Sequence, residues 1–95
     1  MKTITVTGNG NYNAYPDYEI SGGSAAVKVS DIGSATITPQ VDFRDDEFEG
    51  LLNGSGDGLQ TITVDGVFNL QPLKSGMRLR FNVVGYTTDI TITVL

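Results

Sequence analysis

The residues of this chain that could do chemistry are few and fall into three groups. Asp42, Asp45, Asp46, Glu47 and Glu49 place five acids within eight positions. Tyr12, Tyr15 and Tyr18 are three of the four tyrosines and lie within seven positions. Arg78 and Arg80 sit two apart. Two carboxylates with different proton affinities can hydrolyse a glycoside. Several carboxylates around one point can hold calcium, which takes six to eight oxygens. The spacing serves neither purpose well. Asp45, Asp46 and Glu47 are adjacent, so their side chains diverge on an extended chain. No loop offers ligands at alternate positions and ends in Glu. The acids read as a solvated loop, or as a rim that would pair with a basic partner.

Other chemistries are narrowed by composition. There is no histidine and no cysteine. That removes Ser-His and Cys-His nucleophiles and most zinc or copper sites. Gly8-Asn9-Gly10 and Gly54-Ser55-Gly56 are not phosphate loops, because neither opens a helix with a following Lys-Ser/Thr. No cofactor, metal or catalytic residue is expected, and the chain is not expected to be an enzyme. The net charge is −5, and Lys2, Lys28, Arg44, Lys74, Arg78 and Arg80 are scattered. Nucleic acid, which wants a basic patch, is not an expected partner. Nor is a membrane, since no apolar run approaches the roughly 20 residues of a helical span.

The tyrosines and arginines are candidates for contact. On an exposed loop, Tyr12, Tyr15 and Tyr18 could anchor a protein interface, stack on sugars, or close the open end of a core. Arg78 and Arg80 could pair with acids on a neighbouring strand or with another subunit. These five residues form the candidate interface.

The elements that must position them are strands. Met77, Leu79, Phe81 and Val83 alternate with Arg78, Arg80 and Asn82. Ile90, Ile92 and Val94 alternate with Asp89, Thr91 and Thr93. A period of two gives each strand one apolar face. Gly85 and Tyr86-Thr87-Thr88 supply a turn, so Met77–Leu95 reads as a hairpin that needs a second layer.

Earlier segments repeat the pattern. Lys2–Thr7 has Ile4 and Val6 on one face, and Gly8–Asn11 breaks it. A strand predicted this close to Met1 leaves no room for a signal peptide. Tyr12–Ile20 reads as a loop or short strand. Ser24–Ser30 turns Ala25, Val27 and Val29 inward. Ala35–Phe43 does the same with Ala35, Ile37, Val41 and Phe43, leaving Asp42 outside. Pro39 marks an edge or a bulge there. Phe48, Leu51 and Leu52 form a short strand or a turn tucked beneath the sheets. Asn53–Gly58 is a glycine-rich connection. Gln60–Asp65 is a strand with Ile62 and Val64 inside, and Asp65-Gly66 signals a hairpin into Val67–Leu70.

About eight short strands without an amphipathic helix predict one all-β domain over 1–95, an antiparallel β-sandwich or jelly roll. Thr-Ile-Thr-Val occurs three times, at Thr3–Val6, Thr61–Val64 and Thr91–Val94, with unequal spacing. This is β-branched strand chemistry and not a solenoid repeat. The outward threonines read as ordinary sheet exterior. Only 18% of residues are charged, against roughly 25% in globular domains. Such a surface repels itself little and suits a chain that packs against other protein.

The later half carries a resemblance. It reads Gly66-Val67-Phe68-Asn69-Leu70-Gln71-Pro72-Leu73, then Ser75-Gly76-Met77-Arg78-Leu79-Arg80-Phe81, Val83-Val84-Gly85 and Ile90-Thr91-Ile92-Thr93-Val94. This cadence, over Gln60–Leu95, resembles small all-β virion proteins of tailed bacteriophages, and most of all capsid decoration (cement) proteins. The resemblance implies a non-enzymatic structural protein, made in the host cytoplasm and placed on the virion. It would bind the outer surface of the major capsid protein shell as a homo-oligomer, the trimer common to such proteins. A carbohydrate-binding or host-adhesion module and a tail or fibre component are the alternatives.

Overall fold

The two most regular stretches become the centres of two layers. Arg78–Val84 buries Leu79, Phe81 and Val83 completely, and Ile90–Val94 does the same with Ile90, Ile92 and Val94. In the computed structural model, which describes residues 1–53 and 55–95, eight strands and no helix form among the described residues. They are β1 (Lys2–Val6), β2 (Gly10–Asn13), β3 (Ala25–Ser30), β4 (Thr36–Asp42), β5 (Glu49–Gly50), β6 (Gly66–Leu70), β7 (Arg78–Val84) and β8 (Ile90–Val94). One sheet has the order β1-β8-β3-β6 and the other β2-β7-β4-β5, and every pairing is antiparallel. The chain is thus an all-β sandwich of two four-stranded sheets, within 32 × 31 × 23 Å. Gly54, part of the predicted glycine-rich connection, lies outside the described residues.

The pairing has a simple rule. β1 pairs with β8, β2 with β7, β3 with β6 and β4 with β5. The first half of the chain therefore pairs with the second half in reverse order, as one long antiparallel ribbon. Winding that ribbon adds the β3–β8 and β4–β7 contacts.

The expected hairpin of Met77–Leu95 does not form. β7 is central in one sheet and β8 is central in the other. A hairpin would lay both apolar faces on the same layer and leave them needing a cover. Crossing between layers lets each cover the other. The arch begins at Gly85, whose φ is 71°, and a Cβ there would stand 3.3 Å from the Ser34 carbonyl oxygen. Only glycine fits such a position without strain.

Gln60–Asp65 is likewise not a regular strand. Ile62 exchanges backbone hydrogen bonds of 2.9 and 2.8 Å with Ile37 of β4, and the ladder stops there. Val64, expected inside, is 61% exposed. Asp65-Gly66 is not a hairpin turn, because the chain passes from the edge of one sheet to β6 in the other. Asp65 instead accepts the Ile32 backbone N–H at 2.9 Å, tying this crossing to the β3–β4 turn.

Pro39 lies inside β4, opposite Phe81 of β7. Ile37 turns its backbone polar groups toward Ile62. Two residues on, the Pro39 nitrogen faces the same outer side, where β4 is covered only at Gln40 and Val41. The missing N–H costs the β4–β7 ladder nothing. On the outer face of the first sheet, Thr3 pairs with Thr93 and Thr5 with Thr91. These are cross-strand threonine pairs of the kind that support a sheet exterior.

Phe81 is the largest fully buried side chain. Phe81→Ala should cost about 4 kcal/mol by the transfer and cavity terms together. Urea unfolding followed by circular dichroism measures it, and a loss below about 1 kcal/mol would mean that this face is not packed as described.

A candidate interface on the outer face of the second sheet

Three polar cross-strand pairs run along the outside of β7. The register sets Arg78 opposite Asp42, Arg80 opposite Gln40 and Asn82 opposite both Thr38 and Asn11. Each position is outward because its neighbours Leu79, Phe81 and Val83 point inward. Arg80 Nε donates to Gln40 Oε1 at 2.7 Å, and Asn82 Nδ2 donates to Asn11 Oδ1 at 2.9 Å. Arg78 grips Asp42 with two nitrogens: Nε donates at 3.0 Å to Oδ1, and Nη2 reaches Oδ2. The same Nη2 donates to Asp46 Oδ1 at 2.8 Å.

Asp42 was expected on the solvated face of its strand, yet its side chain is fully buried. Phe43 was expected inside, yet it is 69% exposed. Both departures have one cause. After Asp42 the chain leaves the sheet and folds back over the Asp42 carboxylate, with Arg44 and Asp46 at φ values of 66° and 62°. The Asp46 backbone N–H donates to Asp42 Oδ2 at 3.1 Å. The buried charge is thereby paired and hydrogen-bonded, as burial requires. The Arg78 hydrogen bond, with help from the Arg44 and Asp46 backbone N–H groups, holds the Asp42 carboxyl below the usual carboxylate range despite burial. The same contacts push the Arg78 guanidinium further up.

Two aromatic rings complete the surface. Tyr15, from the loop after β2, stacks on Phe48, with centroids 6.1 Å apart and planes 13° apart. The Arg80 guanidinium lies 4.0 Å from the Phe48 centroid, and that of Arg78 lies 4.7 Å from the Tyr15 centroid. Such cation–π contacts contribute about 0.5–1 kcal/mol each near a surface. More important, they hold four long side chains in one arrangement on a rigid sheet.

Of the five expected contact residues, Tyr15, Arg78 and Arg80 meet here. Tyr12 does not join them, and Tyr18 adjoins them only as a wall of a cavity it shares with Tyr15 and Arg78. Tyr12 packs against the core; its hydroxyl donates to the Gly8 carbonyl at 2.9 Å and accepts the Thr7 N–H at 3.2 Å. Tyr18 is half-buried against the core beside a turn closed by its own N–H on the Ala14 carbonyl at 3.0 Å. Phe48, expected in a short strand or a turn beneath the sheets, stands directly before the two-residue β5 and is half-buried on this outer face. Sequence reasoning also missed Gln40, whose alternation with Val41 was visible but whose register with Arg80 was not.

The acidic loop is divided in use. Asp46 serves Arg78, and Asp45 Oδ1 accepts the Glu47 backbone N–H at 3.2 Å. Among the described residues no group of three or more carboxylates is placed to hold a metal ion. A cavity of about 220 Å³ opens between Tyr15, Tyr18, Arg44, Met77 and Arg78. Guanidinium groups and aromatic rings line this surface. Comparison of the chain with family models, with curated proteins and with solved structures finds no match.

The lowered Asp42 carboxyl has a consequence for pH. Its folded value lies below its unfolded value, so its contribution to stability is complete above about pH 4 and is lost as pH falls through the folded value. Asp42→Asn should therefore cost about 2 kcal/mol at neutral pH. The difference between the two proteins in urea midpoint should shrink steadily below about pH 4. A pH-independent difference would show that charge at Asp42 is not what holds the loop.

Proposed function

We propose that the chain is a structural virion protein that decorates a bacteriophage capsid, binding the outer surface of the major capsid protein shell and self-associating as a trimer. The outer face of the second sheet carries the reading. Arginine and aromatic side chains are the types enriched in the cores of protein interfaces. Here Arg78, Arg80, Tyr15 and Phe48 are already fixed by the sheet and by one another. Little side-chain entropy remains to be lost on binding, which favours association.

The architecture supports the same reading. The orders β1-β8-β3-β6 and β2-β7-β4-β5 support reading the sandwich as a ribbon wound into a jelly roll, an arrangement found in viral capsid domains, lectins and cupins. Fold alone does not choose among these. The choice rests on the cadence of residues 60–95 and on the contact face. The mechanism is mechanical: the chain spans joints between shell subunits and raises the cost of separating them. It needs no catalytic group and no cofactor.

Arg80 is the residue to test. Its Nε is taken by Gln40 and its guanidinium lies over the Phe48 ring, while its Nη atoms have no protein partner among the described residues. They are free to meet a carboxylate or carbonyl of the shell. Arg80→Glu should leave folding intact and reduce co-sedimentation with capsids of the encoding phage at least tenfold, about 1.4 kcal/mol. Wild-type chain that fails to pellet with those capsids would sink the decoration reading. Sedimentation equilibrium tests self-association separately, with a strictly monomeric mass at high concentration counting against a trimer in solution.

A further inference from the structure

The opposite chemistry appears where the sandwich is open between β6 and residues 59–62. A cleft of about 530 Å³ is lined by the carboxamides of Asn53, Gln60, Asn69 and Gln71 together with Leu52 and Pro72. A second cavity of about 350 Å³ shares Asn53, Gln60 and Asn69 with it and adds Phe68 as an aromatic wall. The two make one elongated groove with no ionisable side chain along it. Both volumes fall in the range of small-molecule sites.

We propose that this groove binds a neutral oligosaccharide. A carboxamide carries acceptor and donor atoms side by side, which match the hydroxyls of a sugar without demanding charge. The groove is organised before any ligand arrives. Gln60 Nε2 donates to the Leu52 carbonyl at 2.9 Å and also reaches the Gln71 carbonyl, so this side chain joins the two walls and its Oε1 is left as an acceptor. Asn69 and Gln71 touch each other only at 3.5 Å. Asn69 Oδ1 and Gln71 Nε2 have no protein partner among the described residues. Asn53 plays a structural part, since its Oδ1 accepts the Ser55 and Gly56 N–H groups at 3.2 and 2.9 Å and its Nδ2 donates to Asp57. Phe68 offers an apolar face for a ring's C–H surface. An extended peptide fits less well. Strand addition needs the free backbone edge of β6 to continue, and the Gln60 bridge to Gln71 stands across its end.

The inference does not depend on the capsid reading, and the test keeps them apart. The labelled full chain is titrated with gluco-, galacto-, manno- and N-acetylglucosamine oligomers while its backbone and side-chain amide resonances are followed. One sugar class should shift Gln60, Asn69 and Gln71 saturably, with affinity on the order of 1 mM. Asn69→Ala and Gln71→Ala, both exposed positions, should each weaken binding about fivefold or more without moving the thermal midpoint. Arg80→Glu should leave sugar binding unchanged. Shifts that fail to saturate, that occur for no sugar, or that cluster at Tyr15 and Phe48 overturn the proposal. Shifts produced by an extended polar peptide and not by sugars overturn it in favour of a peptide site.

Discussion

Two apolar faces that must cover each other organise this molecule. Leu79, Phe81 and Val83 on β7, and Ile90, Ile92 and Val94 on β8, are all fully buried. Neither face can be left in water, and neither strand is wide enough to form a layer alone. Each becomes central in its own sheet, with β2 and β4 beside one and β1 and β3 beside the other. The crossing at Gly85 follows from that demand. So does the reversed pairing of the first half of the chain with the second. The shape of every surface on the protein is downstream of this choice.

The outer face of the second sheet shows how one ion pair propagates. Arg78 alone on a strand would be an ordinary exposed cation. Because the register places Asp42 opposite, the carboxylate is drawn in and the chain must fold over it to supply backbone N–H groups. That fold reverses the burial of Asp42 and Phe43 and brings Phe48 over Arg80. A buried pair of this kind is weak evidence for net stability, because desolvation offsets most of the attraction. Its clearer effect is specificity: it fixes where the loop lies and which rings face outward.

What could be read from the sequence divides along the same line. Alternation identified the segments that became β1, β3, β4, β7 and β8 and the side chains that fill the core, because burial of a pleated strand writes itself into residues two apart. It failed where a long-range partner decides. Nothing local distinguishes a hairpin at Gly85 from an arch between layers. Val64 alternates correctly but has no strand beside it. Asp65-Gly66 has hairpin chemistry, yet the Asp65 side chain is used by Ile32, far away in sequence. In the candidate interface, Arg78, Arg80 and Tyr15 were visible as residue types. Phe48 and Gln40 were not, since their roles exist only through register and loop folding. The carboxamide groove left no local signal, because its four amides come from three separate segments.

The two surfaces differ in the kind of partner each can hold. The arginine and aromatic face is charged and held in place by its own contacts, and its attraction for acidic groups falls with salt. The groove is concave and neutral, and its hydrogen bonds are exchanged against water one for one, so binding there is weak and depends on fit. A charged face gains most where many weak contacts act together. A shallow neutral groove gains in the same way only when the chain is displayed in many copies. Display in many copies would therefore make each surface more effective than it is on an isolated chain.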